Sequence, residues 1–177
     1  MPQAFLIPVK IETRSDGMDW YEGLKMVTAE IANIPGRELK SVVQTSRSMG
    51  YNWVADDLKK FDAYDDELYN EPIRKLFDLG VPLIVASGNE ADKGQGALLI
   101  DTFPGILKTP DLPIINVGAV GRARERVPFS QYGPLVDVYA LGANLKAQTK
   151  VNKVEAPHIQ GTSFGESYWT QYRCNMF

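Results

Sequence analysis

Apolar and polar positions along this chain of 177 residues switch between two periods. Short β-branched runs bounded by glycine and proline read as buried strands, and apolar residues every three or four positions read as helices. Phe5 to Ile11 is an apolar run that predicts a strand closing in a turn at Ser15-Asp16-Gly17. Asp19 with Glu22 resembles a capping box, after which Trp20, Leu24, Val27 and Ile31 fall at helical spacing until Pro35-Gly36 stops the element. Ser41 to Thr45 predicts a short strand. The acidic stretch Asp56 to Glu71 is loosely patterned; Pro72 then suits a first helical turn, with Ile73, Leu76 and Phe77 on one face and Gly80 as the stop. Val81 to Ala86 follows at once as a strand, and Pro113 to Val120 and Leu135 to Ala140 predict two more. Alternating strands and helices predict an α/β class, a doubly wound, mostly parallel sheet flanked by helices.

Composition narrows the picture. With 44% hydrophobic residues the chain can hide roughly 70% of its unfolded surface as one domain. Lys plus Arg number 19 against 22 Asp plus Glu, a net charge of −3, and no basic stripe with interleaved aromatics occurs, so nucleic acid is not an expected partner. No apolar run approaches the length that spans a bilayer, so no membrane partner is expected either. The start, Met-Pro-Gln-Ala-Phe-Leu-Ile-Pro-Val-Lys, lacks the layout of a signal peptide. Cys174 is the single cysteine, which rules out an intramolecular disulfide and leaves the redox compartment open. No Gly-x-Gly-x-x-Gly follows a strand, and Gly88 to Gly96 lacks the Gly-Lys-Ser/Thr of a phosphate loop.

Two stretches carry chemistry. Val81 to Glu90 delivers an amide side chain, Asn89, at the carboxyl end of a strand, and Gly161-Thr-Ser-Phe-Gly165 sets a serine on a small-residue turn. An amide donor and a hydroxyl nucleophile are two of the parts that acyl transfer to a peptide carbonyl requires. The order Leu6-Ile-Pro-Val-Lys, a capped helix, Ser41-Val-Val, Ile84-Val-Ala-Ser-Gly-Asn89, Ile115-Asn-Val-Gly-Ala-Val120, Phe129-Ser-Gln-Tyr-Gly133, Val136-Asp-Val and Gly161-Thr-Ser163 resembles the subtilisin-like serine proteases. The resemblance runs from about Phe5 to Gly165, which sets off 1–165 as a partial peptidase domain and 166–177 as an atypical tail.

The resemblance implies a serine endopeptidase in which Ser163 is the nucleophile, and the Asn89 side-chain amide and the Ser163 backbone N–H form the oxyanion hole. It implies that a peptide substrate pairs with the chain at Ser46, Arg47 and Ser48, and that backbone at Ala86, Ser87 and Gly88 walls the first specificity pocket. No cofactor is needed for this chemistry, and the family resemblance suggests an extracellular setting. The same family places a catalytic aspartate in Asp-Thr/Ser-Gly and a histidine in His-Gly-Thr, and neither motif is in these 177 residues. The expectation is a truncated product whose missing segments are encoded upstream, inactive by itself and prone to expose apolar surface, since parallel strands need neighbours and covering helices. A non-catalytic protein that keeps the sheet for peptide binding or a structural role is the alternative.

The remaining polar residues read more plainly. His158 follows Pro157 and reads as a loop histidine rather than the missing base. Asp56, Asp57, Asp62, Asp65, Asp66 and Glu67 lack the spacing of a calcium loop and read as a solvated face, so no metal site is expected. Arg122, Arg124 and Arg126 read as a surface turn. Glu166-Ser-Tyr-Trp169 replaces the small residue and proline that continue the family's nucleophile helix, and residues 166–177 show no clean helical period, so that helix is not expected from pattern.

Overall fold

The computed structural model describes residues 6–11, 18–47, 49–50, 66–94, 98–148 and 155–174. Helix α1 spans Met18–Ala32, where Trp20, Leu24 and Ile31 are buried and Val27 packs against them, as their spacing predicts. Strand β1 (Val43–Thr45) is shorter than the apolar run suggests, and β2 is the two-residue Met49–Gly50. Helix α2 spans Asp66–Asp78, followed by β3 (Leu83–Ala86), β4 (Thr102–Phe103), β5 (Ile115–Val120) and β6 (Val138–Leu141). A hairpin of β7 (Leu145–Gln148) and β8 (Glu155–Ile159) leads into helix α3 (Thr162–Cys174).

The central sheet is fully parallel, in the order β1-β3-β5-β6. Its two faces follow from the period of two along β3: Leu83 and Val85 face one way, into a core with Trp20 and Leu24 of α1 and Ile73 and Leu76 of α2. Ile84 faces the other way, with Val117, Ala140 and Trp169 of α3. All four residues of β3 are buried, which is why that strand reads as an unbroken apolar run. The fold is thus a mostly parallel sheet with helices on both faces, in keeping with the class expected from the alternation. Two small antiparallel ladders, β2 with β4 and β7 with β8, sit outside it.

Several elements differ from the pattern. Residues 6–11 form no strand: Leu6 is 83% and Ile7 63% exposed, and only Ile11 packs against the core. A strand exists by pairing, and none of the described strands pairs with this run. Pro72 lies inside α2 rather than in its first turn, so the helix takes in the acidic residues before it and leaves the Leu68 carbonyl without its usual donor. β6 begins three residues later than Leu135 because 135–137 is bound sideways: Asn116 Nδ2 donates to the Leu135 carbonyl at 2.9 Å and the Asn116 N–H to Asp137 Oδ2 at 2.7 Å. The largest difference is α3, which runs unbroken from Thr162 past Gly165 to Cys174 despite its polar sequence. Packing replaces periodicity there: Thr162, Gly165, Glu166 and Thr170 are buried against the sheet.

Candidate active site

The first turn of α3 is pressed onto the carboxyl ends of the parallel strands. A Cβ on Gly165 would meet the Gly118 carbonyl oxygen at 2.8 Å and that of Ala140 at 3.2 Å, and one on Gly142 would meet the Gly161 carbonyl oxygen at 2.7 Å. These are backbone atoms that cannot yield, so glycine at both positions sets how close the helix start comes to β5 and β6. The Gly161 N–H donates to the Gly142 carbonyl at 2.8 Å and fixes the same approach from the chain before the helix.

Thr162, the first helical residue, joins this turn to the end of β3. Its N–H donates to Asn89 Oδ1 at 2.7 Å and its hydroxyl to the same oxygen at 3.0 Å, while the Gly88 N–H donates to the Thr162 hydroxyl at 3.2 Å. Because Oδ1 accepts from a backbone N–H, the orientation of the Asn89 amide is settled by the network. Its Nδ2 is then left facing the space beside Gly161. A Cβ placed on Gly161 would sit 3.1 Å from Ser163 Oγ, 3.6 Å from Phe164 Cδ2 and 3.8 Å from Asn89 Nδ2, so the hydroxyl and the amide both lie beside the same glycine. Sequence reasoning assigned no role to Thr162; its only signal was its place between the glycine and the serine.

The helix end supplies a second donor. The Phe164 N–H bonds the Gly161 carbonyl at 3.1 Å and the Thr162 N–H bonds Asn89, whereas the Ser163 N–H has no hydrogen-bond partner among the described residues. An unpaired amide at the positive end of a helix dipole favours an anion placed before it. Ser163 itself is half-buried, and its hydroxyl makes no hydrogen bond among the described residues. His158 lies in β8 rather than in a loop, exposed and with a left-handed φ of 38°, and does not bond Ser163. Nothing described here takes the proton from the serine hydroxyl.

The other residues of the expected site divide into two groups. Ala86, Ser87 and Gly88 are buried at the end of β3 beside Asn89, with the Ser87 N–H on the Val117 carbonyl at 2.9 Å and the Gln131 N–H on the Gly88 carbonyl at 3.1 Å. Ser46 and Arg47 follow β1, at the edge of the described sheet; Ser48 lies outside the described residues. Ser46 is tied to α3 through a residue that sequence reasoning left in the tail: its hydroxyl donates to Glu166 Oε2 at 2.8 Å. Glu166 is fully buried, and burial pushes its carboxyl from 4.5 up to about 7, against the opposing hydrogen bonds from Ser46 and Ser167.

No group of three potential metal ligands gathers among the described residues, and the acidic residues 56–65 lie outside them. Arg122 and Arg124 are exposed in the turn after β5, and Arg126 folds back onto the Ser130 carbonyl at 2.6 Å and over the Tyr132 ring. No described helix is long and apolar enough to cross a membrane.

No family model matches the sequence. Among curated proteins, alkaline protease 1 of Aspergillus oryzae is 31% identical over 127 residues, which is 64% of this chain and 29% of that protein. A subtilisin-like protease of Coccidioides posadasii is 28% identical over 167 residues, 91% of this chain and 35% of that protein. Among solved structures, a cold-adapted subtilisin-like serine proteinase superposes with a TM-score of 0.62 at 19% identity, covering 93% of this chain and 48% of that one. The likeness in structure establishes the fold, and the chain spans about a third of the length of the curated relatives it matches.

Proposed function

From a chain whose curated relatives are subtilisin-like proteases and whose fold is part of the subtilisin-like α/β fold, we propose that it carries the nucleophile side of a serine endopeptidase. Ser163 Oγ attacks the scissile carbonyl of a peptide laid along Ser46 to Ser48, and Ala86 to Gly88 wall the pocket for the side chain before that bond. The carbonyl oxygen, turning into an oxyanion, enters the space between Asn89 Nδ2 and the Ser163 N–H. The observation that supports this assignment is that Asn89 Nδ2 and Ser163 Oγ both lie within 4 Å of the point where a Cβ on Gly161 would stand. The base and the carboxylate that orients it belong to polypeptide outside these 177 residues, in the family's His-Gly-Thr and Asp-Thr/Ser-Gly motifs. An extracellular location goes with this proposal, as the resemblance implies.

Turnover by the 177 residues alone is then expected to be very low. In subtilisin, the namesake of these relatives, removing the histidine lowers turnover by about a million-fold, a figure that belongs to that enzyme and not to this chain. A second reading has its own support: the Ser163 hydroxyl has no acceptor for its proton among the described residues, which suits a peptide-binding or structural protein derived from a protease. Asn89→Ala in the gene product as its cells make it separates the two. Loss of an oxyanion donor cost subtilisin about a hundred- to a thousand-fold in kcat, and a comparable fall with KM little changed is expected here. Peptidase activity unaffected by Asn89→Ala, or absent from the intact product, rejects the hydrolase.

A further inference from the structure

We propose that Glu166 is a positioning residue of this site: roofed by Ser46, its buried carboxyl clamps the segment leaving β1 to the helix that carries Ser163. The clamp gains its catalytic meaning from the reading of 46–48 as the substrate segment; its geometry stands apart from that reading. Glu166 lies three residues from Ser163 on α3, so the two side chains share a flank of the helix. Its carboxyl is fully buried, and the residue above it, Ser46, is exposed and 120 positions away in the chain. Oε2 accepts from the Ser46 hydroxyl at 2.8 Å and from the Ser167 hydroxyl at 3.4 Å. Oε1 is buried and makes no hydrogen bond among the described residues.

Such a site holds an acid and expels an anion. A buried carboxylate with one oxygen unpartnered is strongly disfavoured unless a cation faces it. None does. α3 rests on β1, β3, β5 and β6, and the one titratable side chain on those strands is Tyr139, whose ring lies beside the Gly118 backbone. On α3 itself Tyr168 and Tyr172 point to solvent, and Arg47, next to Ser46, forms no ion pair with Glu166. Burial accordingly raises the carboxyl to about 7. When the proton leaves, the relief is for residues 46–47 to swing off the helix and admit water to the carboxylate. The edge where a peptide would pair is therefore held in place at acid pH and released as the pH rises through about 7.

The test uses the full chain, isotopically labelled, and follows the Glu166 carboxyl resonance together with hydrogen-exchange protection of the Ser46 and Arg47 amides from pH 5 to 8. Glu166 should titrate near 7, with protection of the two amides falling about tenfold or more over the same range. Glu166→Gln should keep the protection and abolish its pH step. Ser46→Ala, which removes the hydroxyl without touching the helix, should lower protection at every pH. A pH step that survives in Glu166→Gln, or protection of the two amides unchanged in Ser46→Ala, overturns the clamp. Neither readout depends on catalysis, so an absence of peptidase activity tells against the hydrolase assignment alone.

Discussion

Thr162 shows how much of the site hangs on one side chain. Its N–H and hydroxyl both point at Asn89 Oδ1, and its hydroxyl also receives the Gly88 N–H, so the strand end and the helix start move as one piece. Asn89 and Ser163 were legible in the sequence because glycine-asparagine after a β-branched strand and glycine-threonine-serine after a turn are unusual in that order. Thr162 and Glu166 were not, since their roles come from contacts 73 and 120 positions away. Glu166 also sets a pH dependence of stability. At pH below 4.5 its carboxyl is protonated in both the folded and the unfolded chain; between 4.5 and about 7 the folded chain keeps a proton that the unfolded chain gives up. Stability is therefore greatest below the unfolded value and falls as pH rises through the folded one, by up to about 3 kcal/mol. Urea titrations at pH 4.5, 6 and 7.5 should show this decline in the native sequence and a flat profile in Glu166→Gln; equal slopes in both would remove Glu166 as the cause.

Among the elements, the helix that carries Ser163 is the one whose existence the pattern concealed. α3 has polar and aromatic residues on all sides, yet it forms because Gly165 lets its first turn sit on the carbonyls of Gly118 and Ala140 while Trp169 packs on Ile84 and Val117. Gly165→Ala drives a Cβ into the Gly118 carbonyl oxygen at 2.8 Å, and the helix start must lift. The expected cost is about 1 to 3 kcal/mol in a chemical-denaturation midpoint, with the Thr162–Asn89 bonds weakened in proton spectra. A variant as stable as the parent would mean that the seam between α3 and the sheet is loose. The strands β3 and β5 were readable because both faces are buried and the runs are unbroken. The short ladder of β2 with β4 was not, because two-residue strands whose partners lie 52 and 54 positions apart leave no local period. The run 6–11 shows the converse: apolar residues without a partner strand stay exposed.

At the scale of the whole molecule, four parallel strands with α1 and α2 on one face and α3 on the other bring the ends of β1, β3 and the first turn of α3 to one rim. That is where open parallel sheets place their ligands, since strand ends and helix starts converge there. The order of motifs announced this arrangement because each motif marks a strand end or a helix start, and the sequence of such marks fixes a parallel topology. Among the described residues no proton acceptor faces the Ser163 hydroxyl: the single histidine, His158, is exposed in β8 and does not bond Ser163. The most direct measurement is fluorophosphonate labelling followed by mass spectrometry of the adduct, on the gene product isolated from its own cells beside the 177-residue chain. An adduct on Ser163 in the former and only background in the latter is the predicted result. An adduct on a different residue, or a folded native product that leaves Ser163 unmodified, would contradict the assignment of Ser163 as nucleophile.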